Sequence, residues 1–541
     1  MKKMLKMLLA MLALCMALTG CSGSNDSDNQ GGSTGNNSSG EVEPQYGGTY
    51  IMRGSGEPLS FNPNWKTDDM QLPATYNIFN RLVKSTLDNS IQPDLAYDWE
   101  FSEDGKQLTF YLRENVKWHD GEDFNSDDVV WTFNKILAGD AYQSGTLSNV
   151  ESVEAVDDYT VTFNLKTPDA SIMSVLSWLG VWIMPEHIYN TDVDWSENEA
   201  NWHPIGTGPF KFVEYQTGVS IKLEAFDDYW GGRPYLDTLI ISIIPDAETA
   251  YQAYLNGEID DIQGGTPKAS LQDLIDSPDY NTYNHVGTSR TYLSFNLEEG
   301  PMADIRVRQA VNLAIDRVAV VERAEKGFGA VSEYYISPVF DWAVNDDYKI
   351  PEKDAAKAEE LLQEAGYTKN ADGYYFSCDY VIFESGSFHD TAIIIQENLK
   401  SIGIDCKLEV LEIGAWMTKC IDDYDFDIAM CSGGQGPDIS AIRNRVHSDG
   451  SLNISRYSNP TLDEALNLGV TVSSEADRKP YYDEVQRILS EDLPIVIVDD
   501  YQIAYPVKSY IHNHPYEYEQ ASQYNSYMME KVWIEVDKQL Q

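Results

Sequence analysis

Cys21 carries the plainest chemistry in this chain, a thiol set directly behind Leu18-Thr19-Gly20. Lysines at 2, 3 and 6 precede an apolar stretch over residues 4–18. A charged start, an apolar run, small residues and then cysteine is the order of a secretory leader that ends at an acylatable thiol. A spanning helix needs about 20 apolar residues, more than this stretch supplies. Cleavage before Cys21 with lipid attached to its sulfur is therefore expected, in preference to an uncleaved anchor. Residues 22–44 are nearly all Ser, Gly, Asn and Asp, too polar to offset the entropy of ordering, and read as a flexible tether. An EF-hand-like fragment at Asp26, Asp28 and Gly31 ends on Asn37 instead of the bidentate Glu, so it predicts no calcium site. The leader and tether place the protein on the outer face of the cytoplasmic membrane, on the periplasmic side if the cell has two membranes.

Other reactive groupings are sparse. The chain has no G-x-S-x-G elbow, Walker loop, H-E-x-x-H or strand-linked G-x-G-x-x-G. Of eight histidines only His512 and His514 are close; two ligands make a weak metal site, and a surface loop is the expected setting. Carboxylate pairs such as Asp227-Asp228 arise by chance in so acidic a chain. No catalytic residue, metal or cofactor is expected. Cys378, Cys406, Cys420 and Cys431 lack zinc-finger and C-x-x-C spacing, leaving disulfides and buried thiols both open.

The 541 residues exceed one hydrophobic core and predict two or three lobes. The net charge of −49 excludes nucleic acid and anionic lipid surfaces as partners. Period-two alternation predicts strands at Leu108-Thr109-Phe110-Tyr111-Leu112 and over residues 160–165, and Gly47-Gly48-Thr49-Tyr50-Ile51-Met52 reads as a first strand. Residues 304–317 have helical spacing, with Val307, Ala310, Val311, Ala314 and Ile315 on the apolar stripe and Arg306, Arg308 and Asn312 off it. Residues 354–365 predict a second helix ended by Gly366. In the last third, strands at 380–383, 407–410 and 427–430 alternate with helices, which implies parallel pairing in an α/β lobe. Ligand would then sit at the strands' carboxyl ends, with Ser432-Gly433-Gly434-Gln435-Gly436 facing a cleft.

Six segments in order resemble the family 5 extracellular solute-binding proteins, the dipeptide, oligopeptide and nickel receptors of ABC importers. They are residues 95–133, Pro204-Ile205-Gly206-Thr207-Gly208-Pro209-Phe210, Asp228-Tyr229-Trp230-Gly231-Gly232-Arg233-Pro234, Asn256-Gly257-Glu258-Ile259-Asp260, residues 304–310 and residues 314–317. Their bottom-up reading is mostly structural: Asp120-Gly121 suits a turn, and Asp127-Asp128 opens a helix. The resemblance implies an α/β fold, two-lobed and periplasmic-binding-protein-like (type II, cluster C), with an extra domain. Lobe I would comprise 45–82, 196–290 and 500–541, the extra domain 83–195 and lobe II 291–499, with hinges near 293–296 and 499–501.

By the same resemblance, Gln435 stands where peptide-binding relatives carry the acid that pairs with the ligand's α-ammonium, and Asp438 is a following structural acid. A neutral amide suits a hydroxyl-rich or amide ligand. Trp416 falls at a pocket-wall tryptophan, with helix packing as the other reading. Gly56 and Glu57 correspond to a loop lining the cleft. Arg290 and Tyr292 precede the hinge; Arg290 either grips a carboxylate two-pronged or lies exposed. Gly434 completes the candidate set. The expected function is capture of oligopeptides for an ABC permease and its ATPase subunits by a monomeric, lipid-anchored receptor. An oligosaccharide or other small ligand in the same role, a surface hydrolase, and an adhesion or chaperone-like protein are the alternatives.

Overall fold

The computed structural model describes residues 43–66, 68–85, 90–177, 181–263, 266–434, 436, 438–472, 474–517, 527–535 and 538. Cys21, the leader, nearly all of the tether, and Gln435 lie outside these residues.

Three sheets organise the chain. In the first, Thr49–Gly54 runs parallel to Thr238–Ile243, which continues antiparallel to Ser220–Ala225 and then Phe210–Gln216. Alternation along Thr238–Ile243 turns Leu239, Ile241 and Ile243 inward. The second is an antiparallel sheet in the order Ala96–Phe101, Gln107–Leu112, Thr160–Leu165, Val150–Asp157. Its core includes Phe110 and Phe163, edge to face at 5.4 Å. The third has six strands ordered Ala330–Val331, Ile495–Lys508, Tyr280–Phe295, Ile428–Gly434, Phe376–Phe383, Ile404–Leu411. Phe376–Phe383 pairs in parallel with both of its neighbours, as the strand-helix alternation requires.

Two long antiparallel strands, Tyr280–Phe295 and Ile495–Lys508, connect the cores. Tyr505 and Val507 pack in the core of the first sheet, whereas Tyr292, Leu293, Phe295 and residues 495–498 pack in that of the third. Their register shifts between Val286 and Arg290 and again between Thr291 and Tyr292, so the ladder is interrupted where it passes from one core to the other.

The family-like segments build scaffold. Helix Ser126–Lys135 starts with a capping box in which Asn125 Oδ1 accepts the Asp127 N–H at 2.7 Å and Asp128 Oδ2 accepts the Asn125 N–H at 3.2 Å. Trp118, fully buried, donates its indole N–H to the same Asp128 carboxylate at 3.2 Å. The glycine turn is a close backbone crossing. A Cβ at Gly206 would lie 1.9 Å from the Ile78 carbonyl oxygen, and one at Gly208 2.5 Å from that of Asn77. His119 wedges into this crossing. Its Nδ1 accepts the Gly206 N–H at 3.2 Å while Nε2 donates to the Gly208 carbonyl at 2.9 Å.

Two expectations need correction. Helix Ile305–Ala314 buries Arg308 and Asn312 with its apolar stripe, because Arg308 donates from every guanidinium nitrogen to carbonyls of Met302, Ala303, Asp492 and Leu493. His512 and His514 do not form a surface loop. His512 stacks on Trp533 at 4.1 Å and pairs with Glu535, and His514 is completely buried beside Asp261. All four cysteines are buried, and Cys378 and Cys406 are directly opposed on paired strands at an Sγ–Sγ distance of 2.8 Å, the one close pair among them. Among the described residues no cluster of three or more His, Cys, Asp or Glu could hold a metal.

Two outcomes follow for this scaffold. Gly206→Ala forces a methyl onto a carbonyl oxygen and should cost about 3 kcal/mol or more, read as a fall in urea midpoint. Burial holds the His119 imidazole down at about 4. The folded pKa lies below the unfolded one, so stability is complete above about pH 6.5 and declines as pH falls towards 4. His119→Gln should remove one proton's share of that slope in pH-dependent urea melts; an unchanged slope would exclude His119 as its source.

Candidate ligand-binding cleft

The parallel strands Phe376–Phe383 and Ile428–Gly434 point the same way, so the chain following each emerges on one side of the sheet. Ser385, Gly386 and Ser387 come from the first, Ser432 and Gly433 from the end of the second. Facing them is the crossing strand, in register: Ser289 opposite Gly434, Arg290 opposite Gly433, Thr291 opposite Ser432. Together with Tyr501, Lys268, Glu325 and Phe388 they line a cavity of about 340 Å³. Hydroxyls dominate this wall, and Phe388 is its one hydrocarbon side chain. Gly436 and Asp438, further along the chain, line a second cavity of about 500 Å³, shared with Gln143 and Ser171.

Arg290 belongs to the cavity wall but is buried, contrary to the exposed alternative. Its Nε meets Asp500 Oδ1 at 2.6 Å, and Nη2 donates to the Tyr334 carbonyl at 2.6 Å. Ser332 donates a further bond to Asp500 at 2.9 Å. The carboxylate that Arg290 grips is thus the chain's own, on the other crossing strand. Tyr292 is in the core, its hydroxyl accepting from Arg445 Nε at 3.2 Å, and burial pushes its pKa up. The Gly434 carbonyl accepts from Arg445 Nη2 at 2.7 Å. Asp438 is bidentate to buried Arg478 at 2.7 and 2.8 Å. Burial opposes its ionised form, but Arg478 holds the carboxyl below its ordinary value.

The remaining expected residues lie elsewhere. Trp416 does not line the cavity; it is 5 % exposed and packs edge to face on Phe383 at 5.2 Å, with Phe383 in turn against Phe388. It backs the wall one side chain away. Glu57 lines a separate cavity of about 500 Å³, beside Trp202 and Tyr215, whose rings stack at 6.0 Å. Gly56 precedes it in close approach to Met70.

Sequence reasoning missed the charged wall. Lys268, first residue of helix Lys268–Ile275, forms an ion pair with Glu325, which follows the helical turn Val320–Ala324 and accepts the Ser387 hydroxyl. Lys268 Nζ also lies 5.3 Å from the Tyr501 ring centre. Burial lowers the Lys268 pKa, and nearby Asp499 opposes that shift. Burial likewise raises Asp499, opposed by its bonds to Thr291 and by Lys268. Nothing local in the sequence marks Lys268 or Glu325, because their meaning comes from partners distant in the chain.

The profile of the bacterial extracellular solute-binding proteins, family 5 (middle), matches residues 90–450. The oligopeptide-binding protein AppA of Bacillus subtilis (strain 168) is 32% identical over 515 residues, covering 91% of this chain and 92% of the relative. The heme-binding protein A of Haemophilus influenzae is 28% identical, covering 91% and 93%. The solved structure of Bacillus subtilis AppA in complex with a nonapeptide superposes with a TM-score of 0.75 at 28% identity, covering 91% of this chain and all of that one.

Asp500→Asn should leave the buried Arg290 guanidinium uncompensated and cost about 3–5 kcal/mol, measured by urea denaturation. A cost below about 1 kcal/mol would mean that the pair is solvated in solution.

Proposed function

Because the chain belongs to the family 5 bacterial extracellular solute-binding proteins, we propose that it is the receptor of an ABC importer that captures short peptides in the cavity at the Ser432-Gly433 turn and presents the closed form to permease and ATPase subunits. The two-lobed α/β type II fold of the family is the frame for this. The observation that carries the reading is the cavity's place, at the carboxyl ends of parallel strands and against both strands that connect the cores. A ligand there changes its contacts whenever the lobes change their angle, which is how a hinge is coupled to occupancy. The name of the oligopeptide-binding relative and the nonapeptide in the solved neighbour support a peptide as ligand. In this reading residues 45–82, 196–290 and 500–541 form lobe I, 83–195 the extra domain and 291–499 lobe II. The receptor acts as a monomer by capture without turnover, held at the outer membrane face by lipid on Cys21.

The hydroxyls of Ser289, Thr291, Ser385, Ser387 and Ser432 favour a second reading, an oligosaccharide in the same role. A pool of random tri- to pentapeptides should raise Tm by several degrees, since ligand at 100 times its dissociation constant adds about 2.7 kcal/mol. A rise with an oligosaccharide pool alone would replace the first reading by the second, and peptide cleavage would overturn the receptor role. Cys21→Ser should move the protein from the membrane to the medium; retention at the membrane would exclude the lipid.

A further inference from the structure

The buried arginines between residues 290 and 478 differ in how their charge is met. Arg290 and Arg478 each have a carboxylate, Asp500 and Asp438. Arg308 and Arg317 lack one, but each of their nitrogens donates to a carbonyl or amide oxygen. Arg445 has neither provision. It is 5 % exposed, no Asp or Glu lies within ion-pair distance among the described residues, and its bonds go to two neutral oxygens, Tyr292 Oη from Nε and the Gly434 carbonyl from Nη2. Its Nη1 has no acceptor among the described residues. Besides these two oxygens the guanidinium has only the Tyr292 ring, 5.6 Å from its centre, which leaves a place for a counter-charge from outside the chain.

Its position says where that charge would come from. Gly433 lines the cavity, and a Cβ there would stand 3.0 Å from Arg445 Nη2. Any side chain at 433 would press on the guanidinium, which lies directly behind this glycine of the cavity wall. The acids nearby are engaged elsewhere: Glu325 by Lys268, Asp500 by Arg290, and Asp499 beside Lys268 with bonds to Thr291.

We infer that Arg445 is a specificity-determining residue that receives a carboxylate of the ligand through the gap left by Gly433. This rests on the cavity being the ligand site. A guanidinium fork can pair two of its nitrogens with the two oxygens of a planar anion, and Nη1 is the nitrogen without an acceptor among the described residues. The carboxylate can be a peptide's C-terminus or an Asp or Glu side chain.

Three synthetic tripeptide pools separate these sources: one with free C-termini, one with free C-termini but no Asp or Glu, and one amidated and without Asp or Glu. Titration calorimetry on the full chain should give the amidated pool at least tenfold weaker binding than the first. Binding of the second pool as tight as the first assigns the C-terminus, and weaker binding assigns the acidic side chain. Arg445→Gln should abolish discrimination between free and amidated pools, and Arg445→Lys should retain part of it. Loss of discrimination is a change that a packing role for Arg445 would not produce. Equal affinity of wild type for free and amidated pools, or unchanged discrimination in Arg445→Gln, overturns the inference while leaving the peptide reading intact. Binding of none of the pools overturns both.

Discussion

Two strands far apart in the sequence hold this protein together. Tyr280–Phe295 and Ile495–Lys508 are the shared property of two hydrophobic cores, and Arg290 and Asp500 lock them together 210 residues apart in the chain. A buried ion pair of this kind adds little stability over a hydrophobic pair, but breaking it is expensive. Its physical effect here is on register. Sliding one strand by a residue would turn Arg290 to the opposite face and leave two buried charges without partners. The cavity inherits that accuracy, since Ser289 and Thr291 reach it from the same three-residue stretch.

The cavity itself is assembled from chain ends and not from element interiors. Parallel strands deliver Ser385–Ser387 and Ser432–Gly433 to one side, the crossing strand supplies the facing wall, and the Lys268–Glu325 pair closes a flank between helix and turn. The chain after Ser432-Gly433 is tied down by two arginines: Asp438 is clamped by Arg478, and the Gly434 carbonyl is held by Arg445. A short turn without such clamps would lose its shape to conformational entropy.

Local pattern made the elements legible in sequence. The strand at 160–165, the helix capped by Asp354 and the parallel arrangement in the last third all follow from periodicity and turn chemistry that act over a few residues. The family likeness was legible for a related reason, because its segments are the scaffold: Gly206 and Gly208 have no space for a side chain, and Trp118 and Asp128 bond each other. The site was less so. Arg290 read as a possible ligand grip because its partner lies on another strand. Trp416 read as a pocket wall but sits behind Phe383, since a few residues of offset decide which ring reaches the cavity. Lys268, Glu325 and Arg445 gave no signal at all, for their significance depends on which charges they do or do not meet in space.

The pairing of distant strands also sets a timetable. In a chain that emerges from its amino end, Tyr280–Phe295 is complete long before Ile495–Lys508 exists, and through that interval a central strand of the six-stranded sheet has one open edge and Arg290 has no counter-ion. The second lobe can collapse around its helices, but its sheet is finished only when nearly the whole chain is present. Completion of that sheet is therefore delayed to the end of the chain. Such a delay is an asset for any chain that must cross a membrane before it folds.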